Sequence, residues 1–243
     1  ITCRDWSSDV CSSDLTILDK QDAEILFQLE DKVGIIKNIN LKDLEKHQTD
    51  TIFIQANSRV IALIIDFKGL KSLPKNFGNL EYLQFLKLGR YRLNTLPDSF
   101  QKLQKLLYLE ISRNQFEALP DVLINIKSIQ TLWANINKIS VLPDWICNMK
   151  FLKEINLCGN PLQILPSCME ALTSLRRIHT SSSSYRTLSS DSKKILDKCK
   201  IRGCEVTIDR YVDCWPFPWD ESSENIINLP DGDFSYEDRK SVV

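Results

Sequence analysis

Apolar residues return every 23 positions between Val60 and Leu172, in copies that start at Val60, Leu83, Leu106, Ile129 and Leu152. A worn sixth copy starts at Leu175. In all five full copies positions 1, 4, 6, 11, 14, 18 and 21 are apolar and position 15 is proline. Positions 4 and 6, such as Leu86 with Leu88 or Leu109 with Ile111, alternate with polar neighbours, which predicts one short strand per copy. Proline at 74, 97, 120, 143 and 166 has no backbone donor and a fixed φ, so the chain turns there into a short helical or 3-10 return segment. One copy cannot bury its own leucines. Stacked copies share one core and one parallel sheet on the concave side of an arc, with about three copies as the minimum.

Position 9 is Asn114, Asn137 and Asn160 in copies three to five. A carboxamide both donates and accepts, so it can satisfy backbone groups of the turns in successive copies and build an amide ladder. Lys68 and Tyr91 interrupt that ladder in copies one and two.

The flanks read as caps. Ala23, Leu26, Phe27, Leu29 and Val33 recur at helical spacing behind Asp19 and Asp22, either of which suits a helix N-terminus. A second short helix is expected over 40–47. Alternation over 51–56, a two-residue turn at Asn57-Ser58 and the strand 59–65 predict a hairpin. At the other end copy six loses its proline and carries serines at 181–184. A helix from Asp191 through Cys199, stopped by Gly203, and a strand alternating Cys204, Val206 and Ile208 would cover the last leucines.

The template L-x-x-L-x-L-x-x-N-x-L-x-x-L-P-x-x-F-x-x-L-x-x resembles the leucine-rich repeat family in its short L-P variant, typical of intracellular proteins. The resemblance implies an α/β repeat solenoid: a leucine-rich-repeat arc with a parallel concave sheet, an N-terminal helical and hairpin cap and a C-terminal helix-strand cap. It also implies a scaffold or regulator of the kind found in small-GTPase and phosphatase signalling. The expected organisation is an N-terminal cap over 15–59, repeats over 60–188, a C-terminal cap over 189–209 and an acidic aromatic tail over 210–237.

Residues 1–14 and 238–243 resemble translated sequencing adapter. Cys11 to Leu15 can be encoded by TGCTCTTCCGATCT, whose reverse complement reads Asp-Arg-Lys-Ser in one frame, and Asp238 to Ser241 is Asp-Arg-Lys-Ser. The expectation is a gene fragment between two artefactual ends. Setting them aside removes one basic and three acidic residues in front and two basic and one acidic behind, so 31 against 32 becomes 28 against 28. A balance near zero argues against a dedicated nucleic-acid or membrane-surface binder. No apolar run approaches the roughly 18 residues needed to span a bilayer.

Six cysteines remain: Cys147, Cys158, Cys168, Cys199, Cys204 and Cys214. With none in 15–58, where secreted repeat proteins carry paired cap cysteines, reduced thiols and a cytoplasmic location are expected. Cys199, Cys204 and Cys214 lack C-x-x-C spacing and a nearby histidine, so no metal site is assigned. No phosphate loop, dinucleotide turn, H-E-x-x-H or G-x-S-x-G occurs, and no cofactor is implied. Cys158 and His179 are the single pair that suggests a thiol nucleophile and its base.

The concave strands offer more. Positions 3 line up Ala62, Phe85, Tyr108, Thr131, Glu154 and Arg177, and positions 5 line up Ile64, Lys87, Glu110, Trp133, Asn156 and His179. Phe85, Tyr108 and Trp133 sit on consecutive strands about 5 Å apart, flanked by Phe67, Arg90, Arg113 and Asn135. Read as solvent-facing, these aromatics ringed by charge have the composition of a protein-binding hot spot. The competing reading is structural, with the aromatics packing on one another across strands. The expected site is Phe85, Lys87, Arg90, Tyr108, Glu110, Arg113, Trp133, Asn135, Asn156 and His179. The expected function is a monomeric, non-enzymatic interaction module that binds a protein or peptide on this face. The alternatives are the recognition arm of a larger kinase, GTPase or ubiquitin ligase, and a cysteine enzyme using Cys158 and His179. The tail over 210–237 reads either as a loose acidic extension or as a segment that docks through Trp215-Pro216-Phe217-Pro218-Trp219.

Overall fold

The computed structural model describes residues 18–39, 51–65, 70–89 and 92–209. Helix α1 spans Lys20–Val33, followed by strands β1 (Lys37–Asn38), β2 (Ile52–Ala56), β3 (Arg59–Ile65), β4 (Phe85–Leu88), β5 (Tyr108–Glu110), β6 (Thr131–Trp133), β7 (Glu154–Asn156) and β8 (Arg177–Ser181). Helices α2 (Ser182–Thr187) and α3 (Ser190–Ile201) precede β9 (Glu205–Asp209). The nine described strands form one sheet in chain order. Every pairing is parallel except β2 with β3. The fold is the expected leucine-rich-repeat solenoid, an open arc of stacked strand, turn and return units.

The repeat positions do what their chemistry requires. Leu63, Leu86, Leu109, Leu132 and Ile155 at position 4 are fully buried in one continuous core. Each position-15 proline closes a 3-10 turn: its carbonyl accepts from the position-18 amide, at 2.9 Å for Pro97 with Phe100 and 3.0 Å for Pro120 with Leu123. Phe77 and Phe100, both at position 18, stack with centroids 5.9 Å apart. Successive return segments come so close at Gly78 that a Cβ there would lie 1.7 Å from the Ser99 carbonyl oxygen, so only glycine fits.

The amide ladder is present. Asn137 Nδ2 donates to the carbonyls of Ile111 and Ala134, both at 3.0 Å, while its Oδ1 accepts from Phe116 N–H at 3.1 Å. Asn114 and Asn160 repeat the pattern one copy earlier and later. Lys68 and Tyr91 lie outside the described residues. One position earlier the backbone enters the left-handed region, at Arg113, Ile136 and Gly159. This is ordinary for glycine and strained for the β-branched Ile136.

At the N-terminal cap Asp19 is the residue that caps α1, accepting from Gln21 N–H at 2.9 Å. Asp22 does something else. Fully buried, it takes the Arg59 guanidinium at 2.9 and 3.1 Å and the Val60 amide at 2.7 Å, tying α1 to the first repeat strand. The hairpin forms as expected, with Asn57 and Ser58 both at positive φ. Strand β1 adds an element that the sequence pattern does not predict, and the helix expected over 40–47 lies outside the described residues.

At the C-terminal cap Ser189 rather than Asp191 caps α3, accepting from Ser192 N–H at 3.2 Å. The serines that end the repeat also begin α2, capped by Ser181. Strand β9 pairs in parallel with β8, and Gly203 makes the turn before it at φ 96°.

The cysteines correct one expectation. Cys147 and Cys168 are joined as a disulfide, with Cα atoms 6.0 Å apart. They occupy position 19 of copy four and position 17 of copy five, which stacking brings together on adjacent 3-10 turns. Cys158 is also disulfide-bonded, whereas Cys199 and Cys204 are free and buried thiols. Six reduced cysteines are therefore not what this chain carries.

Candidate functional site

Odd-numbered positions 3 and 5 of each strand point away from the leucine core, and parallel pairing sets them in rows. Phe85 is in register with Tyr108 and Tyr108 with Thr131, while Glu110 faces Trp133 and Asn156 faces His179. The rings of Phe85 and Tyr108 stack at 4.3 Å, and Trp133 meets Tyr108 edge-on at 5.7 Å. Together with Ile52, Ile54, Ile61, Ala62 and Ile64 they form a second apolar cluster, on the face opposite the main core. Ile39, after β1, packs against it.

This cluster corrects the view of the aromatics as solvent-facing. Phe85 is 1%, Tyr108 0% and Trp133 7% exposed. The cross-strand packing offered as the competing reading is therefore real, and the sheet is buried on both faces in its N-terminal half. The clue lay in Val60 to Ile65, an unbroken apolar run of the kind seen in strands covered on both sides, rather than an alternating one.

Polar groups complete the floor. Glu154 accepts from Trp133 Nε1 at 2.9 Å and from Arg177 Nε at 2.7 Å, with Arg177 also ion-paired at 2.6 Å. His179 Nε2 lies 3.5 Å from the same carboxylate, an electrostatic contact rather than a hydrogen bond. Burial raises the Glu154 pKa, but the His179 imidazole, the Arg177 guanidinium and the Trp133 indole outweigh it and bring it down to about 2. Glu110 accepts from Tyr108 OH at 3.2 Å and pairs with Lys87 at 3.6 Å. Burial, then Glu110, pushes the Tyr108 phenol well up. Asn135 is buried in the turn after β6 and bonded to Ser112 Oγ, and Arg113 is half-buried in the turn after β5. Arg90 lies outside the described residues.

Asn156 stands apart. It is 0% exposed, its Oδ1 accepts from Cys158 N–H at 3.1 Å, and its Nδ2 has no partner. A buried amide donor left unmade costs roughly 1–3 kcal/mol, so a carbonyl or carboxylate oxygen arriving there would be held firmly.

Sequence reasoning placed Glu154 and Arg177 in the rows but not in the site, although they are the centre of its polar half. Their signal was opposite charges at position 3 of consecutive copies, which parallel register sets side by side. It also paired Cys158 with His179 as nucleophile and base. Cys158 is in a disulfide and has no thiol to offer, so that reading is withdrawn. Among the described residues no group of three or more histidine, cysteine or acidic side chains could hold a metal ion, and no helix is long and apolar enough to cross a membrane.

Three comparisons bear on the chain. A family model described as leucine-rich repeat region matches residues 62–138. No curated protein matches. Among solved structures, one described as the crystal structure of PEPR1-AtPEP1 is similar with a TM-score of 0.45 and 21% identity, over 56% of this chain and 21% of that one.

Proposed function

We propose that this chain, whose residues 62–138 match the leucine-rich repeat region model, works by binding a protein or peptide and not by catalysis. In this reading residues 60–188 are the recognition repeats, 15–59 and 189–209 close their ends, and the molecule acts as a monomer. The docking surface is the concave floor from Phe85 to His179. The observation that carries the reading is the unpartnered Asn156 Nδ2 beside the aromatic row. A face serving only as a second core would have no use for a buried donor without an acceptor, whereas a peptide lying across the strands supplies backbone carbonyls at that depth. Trp133, the least covered of the three aromatics, supplies the apolar anchor that hot spots favour, and Arg177, with its side chain 38% exposed, supplies an accessible cation at the rim. A cytoplasmic location was expected from reduced thiols, and the Cys147–Cys168 disulfide removes that support.

The test is selection of peptides from a random display library on the folded protein, followed by titration against variants. Trp133→Phe and Asn156→Leu should each weaken the selected peptides at least tenfold, and Lys127→Ala, at an exposed site away from the floor, should leave them unchanged. Peptides indifferent to both floor substitutions would place recognition elsewhere on the molecule.

A further inference from the structure

The orphaned donor of Asn156 is one of a group. In the position-5 row Asn156 stands between Trp133 and His179, its in-register neighbours on β6 and β8. His179 Nε2 is closed off from solvent and, like Asn156 Nδ2, makes no hydrogen bond among the described residues. Its nearest charge is the Glu154 carboxylate 3.5 Å away, which favours the tautomer with the proton on Nε2. Both orphans are therefore donors. Arg177 adds to them, because Glu154 engages only Nε and one terminal nitrogen of its guanidinium and leaves the other N–H groups unused.

The acceptors of the same region are already engaged. Glu154 Oε1 receives the Trp133 indole at 2.9 Å, Glu154 Oε2 receives Arg177 at 2.6 and 2.7 Å, and Asn156 Oδ1 receives the Cys158 amide at 3.1 Å. A ligand group that brings its own N–H, as an amide does, would compete for these oxygens. A group made only of acceptors meets no such conflict, and an ionised carboxylate is that group, with two oxygens that take several donors at once. Strand spacing sets Asn156 and His179 about 4.8 Å apart. One carboxylate accepting two charge-assisted bonds of about 2.8 Å can reach both. The charge balance allows it as well, since the Arg177 guanidinium offsets the Glu154 carboxylate that would otherwise repel a second anion.

We propose that the polar end of the concave floor is a carboxylate-binding notch, in which Asn156 Nδ2, His179 Nε2 and the unused N–H groups of Arg177 together hold a carboxylate of a bound peptide, from its C-terminus or from an acidic side chain. The inference rests on the reading of that floor as the binding face, and narrows it: a backbone carbonyl would serve Asn156 alone, whereas a carboxylate serves all three donors. Trp133 walls the notch on its apolar side. The entrance lies at His179 and Arg177, whose side chains are 13% and 38% exposed, so the carboxylate arrives from the β8 side.

Three synthetic peptide pools of equal length and randomised sequence test the notch on the immobilised full chain. One has free C-termini and no acidic residues, one is amidated and contains Asp and Glu, and one is amidated and contains neither. At least one of the two carboxylate-bearing pools should be retained about tenfold or more above the neutral pool, the worth of one hydrogen bond to a charged group. Which of the two is retained identifies the source as a chain end or a side chain. Asn156→Leu leaves every charge of the protein in place and should abolish the preference, which a diffuse attraction to cations would survive. In case that buried substitution unfolds the chain, His179→Phe, checked by circular dichroism, should reduce the preference in the same direction. A preference that survives both variants overturns the notch. Equal retention of all three pools, with binding still weakened by Trp133→Phe, overturns it too and leaves the floor as the binding face. If no pool is retained, or retention is indifferent to Trp133→Phe, the reading of the floor falls and the notch falls with it.

Discussion

Asn137 offers the sharpest check on how the repeats hold together. Replacing it with alanine removes two donated bonds and one accepted bond, but the three losses are unequal. The Ile111 carbonyl still receives Asn114 Nδ2 at 3.0 Å, and the Ala134 carbonyl still receives Asn160 Nδ2 at 2.9 Å. Only the Phe116 amide is orphaned, in a buried turn, at a cost of roughly 1–3 kcal/mol. The two other bonds add about 0.5–1.5 kcal/mol each at most, so Asn137→Ala should lose about 3 kcal/mol. Asn137→Asp separates the roles. Its first oxygen still accepts from Phe116, while the second faces two carbonyls about 3.0 Å away where a donor belongs. The ionised form is disfavoured in the fold, which raises the folded-state pKa above the unfolded value near 3.9. A raised pKa leaves stability intact below about pH 4 and removes it as pH rises. Asn137→Asp should therefore be the weaker of the two variants at pH 7 and recover relative to Asn137→Ala as pH falls to 4. Urea unfolding followed by circular dichroism at the two pH values measures both. A loss under half a kcal/mol for Asn137→Ala, or an aspartate variant without pH dependence, would refute the ladder as a stabilising device.

Three further outcomes follow from the geometry. Leu109→Ala, fully buried at position 4 of the central copy, should cost about 2–5 kcal/mol in equilibrium denaturation by lost transfer energy and a cavity. Asp22→Ala leaves the Arg59 guanidinium and the Val60 amide without their acceptor and should cost about 3–5 kcal/mol, with Arg59→Met restoring part of it in the double variant; no recovery would mean that the loss comes from the Val60 amide and not from the stranded guanidinium. Glu154, lowered from 4.5 to about 2, contributes about 3 kcal/mol above pH 4.5 that fades as pH drops toward 2; acid titration of wild type against Glu154→Gln should show that difference, and parallel curves would count against the Trp133–Glu154–Arg177 cluster.

What the sequence disclosed and what it withheld divide along one physical line. Anything built inside the repeat was legible, because stacking converts a spacing of 23 into contact. Position 4 became core, position 15 became a turn, and position 9 became a ladder. The Cys147–Cys168 bond obeys the same arithmetic: 21 residues is two short of a repeat, which sets the pair on neighbouring return segments. Asp22 with Arg59 escaped because 37 residues separate them and nothing periodic connects a cap helix to a strand. Strand β1 escaped because Lys37-Asn38 is too short and too polar to carry a pattern.

The concave face escaped for a deeper reason. Alternation along a strand sorts residues into two faces, and the leucines identify which face is the core. The pattern does not say what lies over the other face, since that is decided by segments outside the repeat. Hydrophobic content at positions 3 and 5 is the one trace such a cover leaves. Ala62, Ile64 and Phe85 carry it in the first two copies, Tyr108 and Trp133 in the next two, and Glu154, Asn156, Arg177 and His179 end it. The floor thus divides along the arc: aromatic and aliphatic toward β2, hydrogen-bonding and charged toward β8.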